Sequence, residues 1–147
     1  MGWFSSLKDK LNSVVVGTAA GEWAVTAMAV MVFADGDAEA EEMEKAKVVA
    51  TTNPVVKNSI GSARGEVLFN DTVEAIKVSP AAMIQTYLTK LDALAKKVGS
   101  QDDKNFALAA VIAVATADGD VEPKEHDLLN RFKSLLGATI DVPDAKA

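Results

Sequence analysis

The chain has no cysteine and one histidine, His126. The first absence excludes disulfides, thiolate metal centres and thiol redox chemistry. The second excludes any site that needs two imidazoles. Aromatic residues are only 5% of the sequence while alanine is abundant, which favours tightly packed helices over a sandwich or barrel. There is no basic excess: 15 Lys and Arg against 21 Asp and Glu give a formal charge of −6. That balance argues against a nucleic-acid partner and suits solubility and cation binding. No long apolar run is present either. Trp23–Ala34 is about half of what a bilayer requires, and extending it backwards meets Glu22, Gly21 and Gly17. Met1–Asn12 has scattered charges rather than a basic start and an apolar block, so the sequence reads as a soluble, cytoplasmic protein. No G-x-S-x-G, P-loop, H-E-x-x-H or nucleophile–base pair occurs, so no enzyme is expected. His126 falls in a charged helical stretch and is expected to face solvent.

What is present is enough for one domain with a real core: 147 residues, 49% of them hydrophobic. Residues 1–16 place Trp3, Phe4, Leu7, Leu11 and Val14 at helical spacing beside Lys8 and Lys10. This amphipathic helix either folds back on the domain or makes peripheral membrane contact through Trp3, Phe4, Leu7 and Leu11. Gly17 and Gly21 punctuate, Glu22–Ala34 reads as a buried helix, and Ala38–Ala50 as an amphipathic one ended by Asn53-Pro54. Gly61 and Gly65 are expected to interrupt the next stretch, leaving a helix over 66–77. Ser79-Pro80 signals a start, with Ser79 as cap. The helix it opens carries Met83, Ile84, Tyr87, Leu88, Leu91, Leu94, Ala95 and Val98 on one face and ends at Gly99. Asp102 or Asp103 can cap an apolar helix over Lys104–Ala117, and Pro123–Leu136 is the last helix, stopped by Gly137. Residues 138–147 read as a loosely ordered tail. No useful length alternates with period two, so the fold class is all-α.

A shift of 83 residues lays "WAVTAMAVMVFADGDAEAEE" over "FALAAVIAVATADGDVEPKE". Ala24, Ala27, Ala34, Asp35, Gly36, Asp37, Glu39 and Glu42 meet identical residues at 107, 110, 117, 118, 119, 120, 122 and 125. Each repeat unit, 22–50 and 105–136, is thus a buried helix, a D-G-D-x-E turn and an amphipathic helix. Two such units bury their apolar faces well against one another, as a pseudo-twofold core. Gly36 and Gly119 suit left-handed backbone after a helix. Glu42 and Glu125 sit where a capping-box acid belongs, and Pro123 at a first helical position. Asp35 and Asp118 fit less well, because a helix C-terminus disfavours an anion by roughly 0.3–1 kcal/mol. Glu39 and Glu122 occupy N-cap positions that Ser, Thr, Asp or Asn serve better. A divalent cation would reverse the cost of crowding these acids, which makes Asp35, Asp37, Glu39, Glu42, Asp118, Asp120, Glu122 and Glu125 the candidate ligands. Neither turn has the D-x-D-x-D-G ladder of an EF-hand.

The two copies "ADGDAEAEE" and "ADGDVEPKE", each between an alanine-rich and an amphipathic helix, resemble the TerB-like family, which is named for bacterial tellurite-resistance gene clusters. The opening "MGWFSSLKDKL" is similar to TerB-type N-termini. The resemblance covers roughly Trp3–Leu136, a domain over residues 1–137. It implies about seven helices with an internal pseudo-twofold and a non-enzymatic role in tellurite and chemical-stress response. It further implies a divalent cation, calcium or magnesium, at the acidic turns, and membrane-associated complexes with other tellurite-resistance proteins. The chain departs from the family pattern at Glu39 and Glu122, where a smaller capping residue is usual, and at Lys124, where an acid is usual.

Overall fold

The computed structural model describes residues 15–34, 38–117 and 119–145. The expected helix over residues 1–16 therefore falls almost wholly outside the described residues, as do Asp35, Gly36, Asp37 and Asp118. The described residues form seven α-helices: α1 (Thr18–Val32), α2 (Ala40–Thr52), α3 (Pro54–Ser59), α4 (Ser62–Val78), α5 (Pro80–Ala95), α6 (Gln101–Ala115) and α7 (Pro123–Leu136). The fold is all-α, in a single domain.

Helix α1 is apolar on every side, and residues Trp23–Met31 are buried without interruption. A helix of that kind is stable only when it is enclosed, and α1 packs against each of the other six. Trp23 does most to hold the enclosure together. It is fully buried, its indole N–H donates to the Leu91 carbonyl of α5 at 3.1 Å, and Phe132 of α7 meets it edge-on at 5.6 Å. Burial satisfies the polar handle while the ring supplies the area, the usual condition for an interior tryptophan. Thr26 and Thr72, the buried polar residues, donate to the carbonyls of Glu22 and Leu68 within their own helices.

Two glycines expected to break helices lie inside them instead. Gly21 belongs to α1, and its N–H donates to the Ser59 hydroxyl at 3.1 Å, which in turn donates to the Gly17 carbonyl at 2.6 Å. A side chain at Gly21 would collide with Ser59. Gly65 is buried in α4, and a Cβ there would lie 2.7 Å from Cγ1 of Val56. Both positions trade helix propensity for close approach to α3, at roughly 0.5–1 kcal/mol each. The break that does occur is at Gly61, with φ +86° between α3 and α4.

Other boundaries move by a few residues. Helices α1 and α6 stop at Val32 and Ala115 rather than Ala34 and Ala117, and α5 stops at Ala95 rather than Gly99. Helix α6 starts earlier, because Ser100 caps it by accepting from the Asp103 N–H at 3.1 Å, the role expected of Asp102 or Asp103. Ser79 occupies the N-cap of α5 but makes no side-chain capping bond; the start is set by Pro80. Helix α7 has its expected span, with Pro123 at N1 and Gly137 left-handed at φ +78°.

The tail after Gly137 packs back on the domain as far as Pro143, against expectation. Ala138 is buried and Ile140 and Val142 pack on the core. Thr139 is held by Asn105, through N–H to Oδ1 at 2.8 Å and Oγ1 from Nδ2 at 3.0 Å. His126 is half-buried rather than solvent-facing, since its Nδ1 contacts the Pro143 carbonyl at 2.9 Å and its Nε2 the Asn130 amide at 3.0 Å. A carbonyl can only accept, so Nδ1 donates to Pro143, and the Asn130 amide holds the ring's other nitrogen.

Propensity and packing make opposite forecasts at Gly65, so the sign of one substitution decides between them. Helix propensity alone would make Gly65→Ala stabilising. Contact with Val56, a branched and rotamer-restricted side chain, makes it destabilising by about 1–3 kcal/mol. Gly99→Ala, where a Cβ would meet open space, should change stability by less than about 0.5 kcal/mol. Denaturant unfolding of both variants checks the pair.

Candidate functional site: an acidic cleft between two helix starts

Two contacts fix the relative sense of α1 and α6. At one end, the Gly17 N–H that precedes α1 donates to Oδ2 of Asp103 in the first turn of α6 at 3.1 Å. At the other, Met31 and Val32 of α1 and Val114 of α6 line one cleft. Helices that share both ends in this order lie side by side and run the same way. The chain therefore leaves both of them at the same end of the domain, and both D-G-D-x-E segments follow from there.

The cleft has a volume of about 240 Å³. Its floor is apolar: Met31, Val32, Ala34, Ala46, Val114 and Ala117. Its rim carries Glu39, Glu41 and Glu42 from the start of α2 and Glu125 from the first turn of α7, with Lys45 as the one cation among the described residues. Among these residues four carboxylates accompany one ammonium, so acids predominate on the rim. The N-terminal turns of α2 and α7 border it, and their dipoles lower the cost of that charge by roughly 0.3–1 kcal/mol per acid. Lys45 pairs with Glu41 at 3.6 Å, with both side chains well exposed, a contact that adds little stability.

The candidate ligands separate into three groups. Glu39, Glu42 and Glu125 come together at the cleft, the first two from one repeat and the third from the other. Asp120 and Glu122 are exposed and do not line it. Asp35, Asp37 and Asp118 lie outside the described residues, next in sequence to or near the cleft residues Ala34 and Ala117. Among the described residues, no group of three or more His, Asp or Glu is arranged to hold a metal ion.

The two N-caps differ. Glu122 and Glu125 close a capping box, with the Glu122 N–H donating to Glu125 Oε1 at 2.9 Å. Glu39 holds the same place before α2 but makes no side-chain capping bond. Gly119 has φ +97°, the positive value expected of it. Of the other two rim residues, Glu41 reads from sequence as a first-turn acid that suits the helix dipole, and Lys45 was missed. The signal was there, an acid four residues before a lysine on a helix face.

Comparisons with protein families, with curated proteins and with solved structures return no match to this chain. Among the described residues, no helix is long and apolar enough to cross a membrane.

Glu125 has two separable roles here, cap and charge. Glu125→Ala removes the acceptor for the Glu122 N–H and should cost about 1 kcal/mol. Glu125→Gln keeps an acceptor oxygen and removes the charge, so it should cost well under half of that. Thermal unfolding of the two variants separates the roles; equal losses would show that charge, not the capping bond, matters at this position.

Proposed function

We propose that the chain is a non-enzymatic module of the TerB-like kind, acting in tellurite and chemical-stress response. In this reading the two repeat units form a pseudo-twofold pair, and their acidic segments act as one site. The site takes a divalent cation, calcium or magnesium, or a basic surface on a protein partner such as another tellurite-resistance protein. The observation that carries the reading is the shared cleft: Glu39 and Glu42 of one unit meet Glu125 of the other on a single rim. Asp35, Asp37 and Asp118 are next to or near the cleft residues Ala34 and Ala117 in sequence, while Asp120 and Glu122 belong to the same D-G-D-x-E segment but lie off the cleft. Hard cations favour such oxygen-rich surroundings. The protein works in the cytoplasm, where Trp3, Phe4, Leu7 and Leu11 either fold back on the domain or give it peripheral membrane contact.

A second reading is a structural adaptor with no metal site. The Glu122–Glu125 capping box and the Lys45–Glu41 pair favour it, since they engage three rim or turn acids within the chain itself.

Titration of the ¹⁵N-labelled protein with Ca²⁺, Mg²⁺ and Mn²⁺ decides between the two. The cation reading requires saturable shifts at both acidic segments, 35–42 and 118–125, and their joint loss in Glu39→Gln/Glu42→Gln. Shifts confined to one segment, or no saturation by millimolar metal, support the adaptor.

A further inference from the structure

Four large hydrophobic side chains stand exposed among the described residues, and two of them, Val67 (53%) and Val78 (85%), are on α4. Asp71 and Glu74 lie between them and are also exposed. Positions 67, 71, 74 and 78 recur at intervals of four, three and four, so they form one stripe along the outside of the helix. An apolar-and-acidic stripe of this kind suits a partner surface with an apolar floor and cations on its edge.

The same molecule has such a surface. A groove of about 280 Å³ runs between the end of α1, α5 and α7. Phe33, Ile84 and Leu88 contribute to its floor. Lys124 and Arg131 stand on its edge two turns apart along α7, with Asp127 between them. Both cations are exposed, and neither is in an ion pair among the described residues.

We propose that this groove receives the α4 stripe of a second copy of the chain, its valines against the apolar floor and Asp71 and Glu74 facing Lys124 and Arg131. Charge complementarity selects this occupant: in a chain of net charge −6, the groove is edged by two cations that have no ion pair among the described residues, and the stripe carries Asp71 and Glu74. The exposed pair of Glu74 with Lys77 at 3.3 Å is weak enough to exchange. The net charge opposes the approach of two copies, so the contact is weak and its register depends on the local pairs. Stripe and groove are different surfaces, which makes the contact head-to-tail rather than self-complementary.

Sedimentation velocity on the full chain, from micromolar to millimolar concentration, tests this. The average mass should rise with concentration. Val67→Ser/Val78→Ser and Lys124→Glu/Arg131→Glu change only exposed side chains, and circular dichroism verifies that each folds. Each should raise the concentration needed for association by about tenfold or more. Their equimolar mixture should form dimers and nothing larger, because only one intact stripe and one intact groove remain per pair. A wild type that stays monomeric to millimolar concentration overturns the proposal. So does association that survives both variants, or a mixture that stays monomeric.

Discussion

Burying α1 on all sides is the constraint from which the rest of the structure follows. Its sequence offers no polar face, so each of the other helices has to supply part of an apolar enclosure. The enclosure is specific because polar groups inside it are answered. The Trp23 indole finds the Leu91 carbonyl, and the Thr26 hydroxyl finds its own helix. Close approach is obtained where α1 and α4 have glycine, letting Ser59 and Val56 of α3 sit against backbone. Among the described residues no buried side-chain nitrogen or oxygen lacks a partner. Such a core tolerates very little change of volume.

The direction of α6 beside α1 decides which side chains meet at the end of that core. The Gly17–Asp103 bond holds the two helix starts together, so the helix ends also coincide. Glu39 and Glu42 then share one cleft with Glu125, more than eighty residues later in the sequence. Two helix N-termini border the cleft and make its negative charge tolerable, which explains how carboxylates can crowd there in the absence of a cation. Glu125 is both a cleft residue and the acceptor that caps α7.

Features carried by local chemistry were legible in the sequence. Pro123 and Gly137 bound α7, the apolar face of α5 followed the helical period, and the glycine of the second acidic turn has the positive φ expected of it. Glu39, Glu42 and Glu125 were legible as candidates for the same reason: the repeat marks them. Features that depend on a remote partner were not legible. Gly21 and Gly65 look like helix breakers until Ser59 and Val56 are placed against them. Asp103 looks like a cap until Ser100 takes that place and Gly17 takes the carboxylate. His126 looks solvated until the tail returns to set Pro143 over it. No local pattern shows that α1 and α6 run in the same sense, and the shared cleft depends on it.

The most direct test of that claim is a distance. The chain has no cysteine, so spin labels at Glu39→Cys and Glu125→Cys report a single pair by double electron–electron resonance. Side-by-side helices of common direction predict one narrow distribution at the short end of the measurable range. If α1 and α6 instead ran in opposite senses, the labels would be further apart by about the length of α1, ~22 Å at 1.5 Å per residue, and the shared acidic cleft would not exist.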